Sequence, residues 1–249
     1  MRYITVVAGK AVLIDLGNTL MTPVPVDGDA VARLEAERLR TVLRGFGFAD
    51  LSGLEEALRR YAEVDRRAHA RSLKTLRERL GKDILRRVLR DAGFALTPAQ
   101  ALAAARAQWL GFPAYGWRAY PDATETLRAL KERGFSVAIV SNGSHGVDFW
   151  RQDLEEFGWL AYLDAIFSSG DLIWRKPHPL LFERALEALG ASPGEALMVG
   201  DMVEMDVAGA KALGITAVWK RNGQPLPPSA DADYTIDHLG ELLALPALS

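Results

Sequence analysis

Downstream of Pro121 the chain switches repeatedly between two hydrophobic periods, and this alternation narrows the possible folds more than any other feature. Short apolar runs at Ser136–Val140, Ala165–Ser168, Ala196–Val199, Ile215–Trp219 and Tyr234–Ile236 read as strands. Apolar residues at helical spacing over Ala123–Arg133, Leu180–Leu189 and Val207–Leu213 predict helices, each closed by a glycine at 134, 190 or 214. Strands separated by helices pair in parallel, so the pattern predicts an α/β chain with a parallel sheet covered by helices on both faces.

The segment before Pro121 differs. Lys10–Asp15 is a short apolar run ending in an acidic residue and a Gly-Asn turn, which reads as a buried strand delivering its tip to a loop. From about Asp29 to Leu110 the spacing is helical, with hardly any strand signal. Val31, Leu34, Leu39, Val42 and Leu43 mark one amphipathic helix, and Leu54, Ala57, Leu58 and Tyr61 a second, with breaks between Gly45 and Gly53. Leu76, Leu80, Ile84, Leu85, Val88 and Leu89 suggest further helix, interrupted near Gly81. Thr97-Pro98 opens another, with Thr97 as N-cap and Pro98 in its first position. The expected division is a core of residues 1–20 and 116–249 with a helical insertion at 21–115.

A chain of 249 residues, 49% apolar and 25% charged, is sized and composed for a folded domain with a large core. Its net charge of −2 gives no reason to expect a nucleic-acid partner. The charge is uneven, however: Ala30–Arg118 holds 18 Lys and Arg against 10 Asp and Glu, leaving 12 against 22 elsewhere. Solvated helix faces with Glu–Arg pairs account for such a basic middle; a field for anionic substrates is the sharper alternative. With no cysteine, disulfides, thiolate nucleophiles and thiolate metal sites are excluded, and a metal site has to use oxygen or imidazole. The apolar stretch within Met1–Leu16 is split by Lys10 and closed by Asp15, so neither a signal peptide nor a membrane span is expected, and a cytoplasmic location is. Gly223–Ser229, rich in proline, reads as an ordered surface loop.

Ligands of open parallel sheets bind beyond the carboxyl ends of the strands. Those positions hold Asp15, then Ser141 and Asn142, then Asp201 and Asp206, with Lys176 in the loop Trp174-Arg175-Lys176-Pro177. Together they offer a carboxylate nucleophile, a hydroxyl and an ammonium for phosphoryl oxygens, and two further carboxylates for a hard cation, a set suited to phosphoryl transfer.

Four motifs then carry a family resemblance, in order: Val12-Leu13-Ile14-Asp15-Leu16-Gly17-Asn18-Thr19-Leu20, Val137-Ala138-Ile139-Val140-Ser141-Asn142, Lys176-Pro177, and Val199-Gly200-Asp201-Met202-Val203-Glu204-Met205-Asp206. The chain resembles the haloacid dehalogenase superfamily, most of whose members are magnesium-dependent phosphatases with a Rossmann-like core, and the helical zone sits where that family inserts its cap. The resemblance implies that Asp15 attacks phosphorus to give an aspartyl phosphate, and that magnesium is held by Asp15, the Gly17 carbonyl, Asp201 and Asp206. It implies that Ser141 and Lys176 hold the phosphoryl oxygens of a small phosphorylated substrate, aided by backbone N–H groups of Leu16–Asn18 and of Asn142. Thr19 is expected to support the turn with a hydroxyl hydrogen bond.

Gly17 departs from the family pattern, which usually places a second Asp there as general acid and base. Losing such a group costs about 10² to 10⁴ in rate. A phosphatase working without it is the leading reading. A 2-haloacid dehalogenase also fits Ser141-Asn142-Gly143-Ser144, although that class lacks the Gly200-Asp201 kept here. A phosphonate hydrolase would need a cap lysine, for which only Lys74 and Lys82 are available. A non-catalytic binding protein is the remaining alternative. His145 is a candidate for reaching the substrate, His178 for stiffening its loop, and Trp109, Trp117 and Tyr120 for packing where the insertion returns to the core. Arg66, Arg67, His69 and Arg71 read as mostly surface residues of an inserted helix.

Overall fold

The computed structural model describes residues 11–225 and 231–248. Met1–Lys10 and the part of the Gly223–Ser229 loop from 226 onward lie outside them, so the expectations placed there extend beyond the described residues. Side chains alternate across a strand. In β1, Ala11–Ile14, that puts Val12 and Ile14 on one face and Ala11 and Leu13 on the other, all of them buried. Such two-faced burial needs cover on both sides, and the rest of the chain supplies it.

In chain order, β2 (Met21–Pro23) leads into α1 (Gly28–Gly45), α2 (Leu54–Thr75), α3 (Gly81–Asp91) and α4 (Pro98–Gln108). Then follow β3 (Trp117–Ala119), α5 (Ala123–Glu132), β4 (Ser136–Ser141), α6 (Val147–Glu156), β5 (Ala165–Ser168), the short α7 (Ser169–Leu172), α8 (Leu180–Leu189), β6 (Ala196–Gly200), α9 (Ala208–Ala212), β7 (Thr216–Lys220) and β8 (Tyr234–Ile236). The six-stranded sheet runs β5-β4-β1-β6-β7-β8, each neighbouring pair parallel, as the alternating pattern predicts. Val12, Ile14, Val137, Ile139 and Val199 pack with α5 and α6 on one face. Leu13, Ala138, Val140, Met198 and Ala217 pack with α8 and α9 on the other. β1 is central, so its carboxyl end opens between those of β4 and β6.

Helices α1–α4 gather around an apolar core of their own, built on Leu39, Leu43, Leu54, Ile84, Leu85, Val88, Leu89 and Phe94. Thr97 accepts a hydrogen bond from Gln100 N while the Gln100 side chain accepts from Thr97 N, a reciprocal cap with Pro98 in the first turn, as expected. Three details differ from the sequence reading. Leu34 is half exposed because the buried stripe of α1 runs through Ala36, Leu39 and Leu43. Leu76–Leu80 is not helical: α2 ends at Thr75 with Leu76 left-handed, and the next residues lie against the sheet domain, Glu78 N donating to Ile173 O and Arg175 N to Leu76 O. The two short strands β2 and β3, paired antiparallel where the helical segment leaves and re-enters, were not foreseen, because three residues carry too little periodicity to be read.

Replacing Thr97 with Ala should destabilise the protein by about 1 kcal/mol, the usual cost of an N-cap, measurable as a lower midpoint in urea unfolding.

Candidate active site

The carboxyl ends of β1, β4 and β6 bring the expected residues together. Asp15 continues the β1 ladder, its N–H donating to Val199 O at 3.0 Å, so its carboxylate projects from the centre of the sheet. Ser141, the last residue of β4, donates from Oγ to Asp15 Oδ1 at 3.1 Å. Lys176 is 2% exposed; its Nζ donates to Asp15 Oδ1 at 2.6 Å and to Val140 O at 2.7 Å. It also forms an ion pair with Asp206 Oδ1 at 2.6 Å. Burial alone would lower the lysine pKa, but the carboxylates of Asp15 and Asp206 outweigh it and hold the group above its ordinary value.

Asn142 grips the backbone of Lys176 with both ends of its amide, Oδ1 accepting from Lys176 N at 2.8 Å and Nδ2 donating to Lys176 O at 3.3 Å, and Nδ2 also donates to Met205 Sδ at 3.3 Å. Its side chain therefore fixes the lysine loop, and only its backbone remains for a substrate. Thr19 departs from expectation. Its hydroxyl is fully buried with no hydrogen-bond partner among the described residues, so it does not brace the turn as foreseen.

Asp201 and Asp206 complete an acidic group: one carboxylate oxygen from each of Asp15, Asp201 and Asp206 lies within 4.8 Å of the others. Asp206 sits on a wide helical turn, Val203–Val207, that aims it back at the strand end, where its Oδ2 accepts from Met202 N at 3.0 Å. It packs so closely on β6 that a Cβ at Gly200 would stand 2.3 Å from its carboxylate, so the glycine before Asp201 is a steric requirement. Burial first, and then the charges of Asp15 and Asp206, push Asp201 up to about 7; burial first raises Asp206 to about 6 against the opposing pull of Lys176. Three carboxylates converging on one point, with Asp201 and Asp206 resisting ionisation, suit a hard divalent cation, whose charge would relieve that resistance.

The turn after Asp15 is held from behind by Lys220 and Asn222, which sequence reading missed. Asn18 is left-handed, φ 54°. Its carbonyl accepts from Asn222 Nδ2 at 2.9 Å and Lys220 Nζ at 3.4 Å. Lys220 is itself buried, over the Tyr120 ring at 3.6 Å and bonded to Asn222. The signal available was a lysine closing an otherwise apolar strand, Thr216–Lys220. Glu78 of the inserted segment is likewise buried, accepting from Ser169 Oγ at 2.6 Å and pairing with Arg175, the neighbour of Lys176; no pattern in the sequence marks it.

His145 lies between Trp109 and Phe149, with ring centroids 4.9 and 4.8 Å away, and burial, then Arg79, depress it to about 4. A neutral, enclosed imidazole is no proton donor at pH 7. His178 stacks on Trp174 at 4.3 Å and accepts from Leu180 N, a structural role as anticipated. Trp109 and Tyr120 pack as foreseen, and Trp117 covers the turn: a Cβ on Gly17 would be 3.4 Å from its ring. Lys74 and Lys82 are both solvent-exposed.

A family model for haloacid dehalogenase-like hydrolases matches residues 10–214, from the start of β1 to just past α9. The chain belongs to that family. This haloacid dehalogenase-like hydrolase is 31% identical to a phosphoserine phosphatase of Thermus thermophilus, over 96% of this chain and all of the relative. It is 32% identical to a ribulose-1,5-bisphosphate 5-phosphatase of Halopiger xanaduensis, over 94% of this chain and 98% of the relative. A solved 2-haloacid dehalogenase from Pseudomonas syringae pv. Tomato superposes with a TM-score of 0.61 at 24% identity, covering 94% of this chain and 96% of the other, a likeness of fold. Among the described residues, no helix of the hydrolase is long and apolar enough to cross a membrane.

Because the folded pKa values of Asp201 and Asp206 stand above the unfolded 3.8, the folded state binds protons more tightly. Stability of the metal-free hydrolase from this acidic pair should therefore fall as pH rises from about 4 to about 7. Melting temperatures recorded across that range with a chelator should show the decline, and a divalent cation should reverse it.

Proposed function

We propose that this hydrolase is a magnesium-dependent phosphomonoester hydrolase acting through an aspartyl phosphate on a small phosphorylated metabolite. The observation that carries the reading is the convergence of the Ser141 hydroxyl and the buried Lys176 ammonium on one oxygen of Asp15, beside two further carboxylates. The two phosphatase relatives support the phosphoryl class over their full lengths.

Asp15 would attack phosphorus, the ester oxygen leaving with the bond pair and taking its proton from solvent; water then attacks the acyl phosphate, releasing phosphate and restoring the carboxylate. Lys176 and Ser141 would move from holding Asp15 to sharing the charge of the phosphoryl oxygens. Asp15, the Gly17 carbonyl, Asp201 and Asp206 would hold magnesium, which when bound neutralises the carboxylates and polarises the phosphoryl group. Asn18, its carbonyl gripped by Lys220 and Asn222, keeps the turn shaped to present backbone N–H groups to the substrate. Residues 21–115 would serve as the cap that excludes water and selects the leaving group.

The dehalogenase alternative draws on Ser141-Asn142-Gly143-Ser144 and on the fold likeness, while Gly200-Asp201 speaks for the metal-using class. The exposure of Lys74 and Lys82 removes support for a Schiff-base phosphonate hydrolase. A binding role without turnover would leave the full set of site residues without use.

Hydrolysis of p-nitrophenyl phosphate should require magnesium and fall to background in Asp15→Asn; chloride release from 2-chloropropionate without metal would overturn the reading. Gly17→Asp should preserve or raise turnover of esters with poor leaving groups, since Trp117 leaves ordinary contact distance for a Cβ there. If that variant instead loses magnesium binding in titration calorimetry, the turn needs glycine for its backbone.

A further inference from the structure

The inserted helices carry two clefts of similar size whose charge differs. The cleft between α1 and α2, about 710 Å³, sets Arg33, Arg40 and Arg59 against Asp29, Glu35, Glu37 and Glu55, so it has no excess of positive charge. The cleft between α2 and α3, about 620 Å³, is lined by Arg67, Arg71, Arg77, Arg79 and Arg87 with Glu78 and Asp83.

Several of these charges are already engaged. Glu78 is buried and spent on Ser169 and Arg175, Arg79 pairs with Asp65, and Arg67 pairs with Glu63. The guanidinium groups of Arg71 and Arg87 have no ion-pair or hydrogen-bond partner among the described residues, and Arg77 rests over the Trp174 ring at 5.4 Å. Asp83 stands four residues before Arg87 on one helix face, where a pair is geometrically available, yet none forms. Three guanidinium groups thus surround a concavity with one unspent carboxylate, in a chain whose other arginines on α1 and α2 mostly have acidic partners. Like charges around a hollow repel, and a bound anion reverses the sign of that energy. The cleft has the volume of small-metabolite sites, and planar guanidinium groups match phosphate and carboxylate oxygens in pairs.

None of Asp15, Ser141, Lys176, Asp201 or Asp206 lines this cleft. Buried Glu78 in its wall accepts from buried Ser169, which in turn accepts from Gly143 N beside the Ser141–Asn142 strand end. We propose that the α2–α3 cleft is a second anion site, separate from the Asp15 centre, for a small metabolite bearing two or more phosphate or carboxylate groups. Its recognition rests on Arg71, Arg77 and Arg87.

Titration calorimetry with inorganic pyrophosphate tests this on the intact chain, without metal, for wild type and the pair Arg71→Ala/Arg87→Ala. Binding should weaken at least about tenfold in the arginine pair, roughly the loss of one charge-assisted contact, and weaken with added salt. The arginine variant should keep wild-type melting temperature and p-nitrophenyl phosphate turnover, since both side chains are exposed. Binding unchanged by the arginine pair would assign the anion to another centre and overturn the proposal. So would no binding at millimolar pyrophosphate. A failure of phosphatase turnover in wild type would count against the proposed function alone.

Discussion

A lysine ammonium enclosed by protein is unfavourable unless charge surrounds it, and Lys176 is placed so that two carboxylates and a strand-end carbonyl meet it at 2.6 to 2.7 Å. The site's other features are arranged around that buried ion. Asn142 spends both ends of its amide on the lysine backbone, and Arg175 beside it is anchored by Glu78. Lys176 tempers the mutual repulsion of Asp15 and Asp206, while Asp201, less directly compensated, is the carboxylate driven to about 7. A cluster so poised has a deficit of positive charge that a divalent cation and a phosphoryl group can share.

The same economy appears in the backbone. Parallel pairing of β1 with β4 and β6 sets three strand ends side by side, and each then turns in a way that aims polar atoms at one point. Asn18 holds a left-handed conformation that non-glycine residues seldom adopt, secured by Lys220 and Asn222 from β7 and the loop after it. Gly200 lets Asp206 press against the strand. Local strain and close approach at the site are thus underwritten by neighbouring strands rather than by the turn itself.

The inserted helices are tied to the sheet domain by polar as well as apolar contacts. Leu76–Leu80 lies along Ile173–Arg175 with backbone hydrogen bonds, and Glu78 crosses to Ser169 and Arg175. Arg77 shares that seam through Trp174. Any shift of the inserted segment is therefore felt one residue from Lys176, which gives the basic cleft above the seam a physical connection to the site.

Strand alternation, apolar spacing and the acidic, hydroxyl and ammonium residues at strand ends were legible in the chain, because each depends on near neighbours. Periodicity is local, and motifs such as Gly200-Asp201 carry their steric reason within a few residues. The capping residues at Thr97 were readable on the same ground. What the tertiary structure alone decided are partnerships between residues far apart in sequence. Lys220 under Asn18 spans some two hundred positions, and Glu78 with Arg175 nearly a hundred. Thr19 shows the same limit in reverse: its hydroxyl suggested a local bond, but the packing around it supplied no partner. Burial and long-range pairing set those energies, and neither is a property of a short stretch of chain.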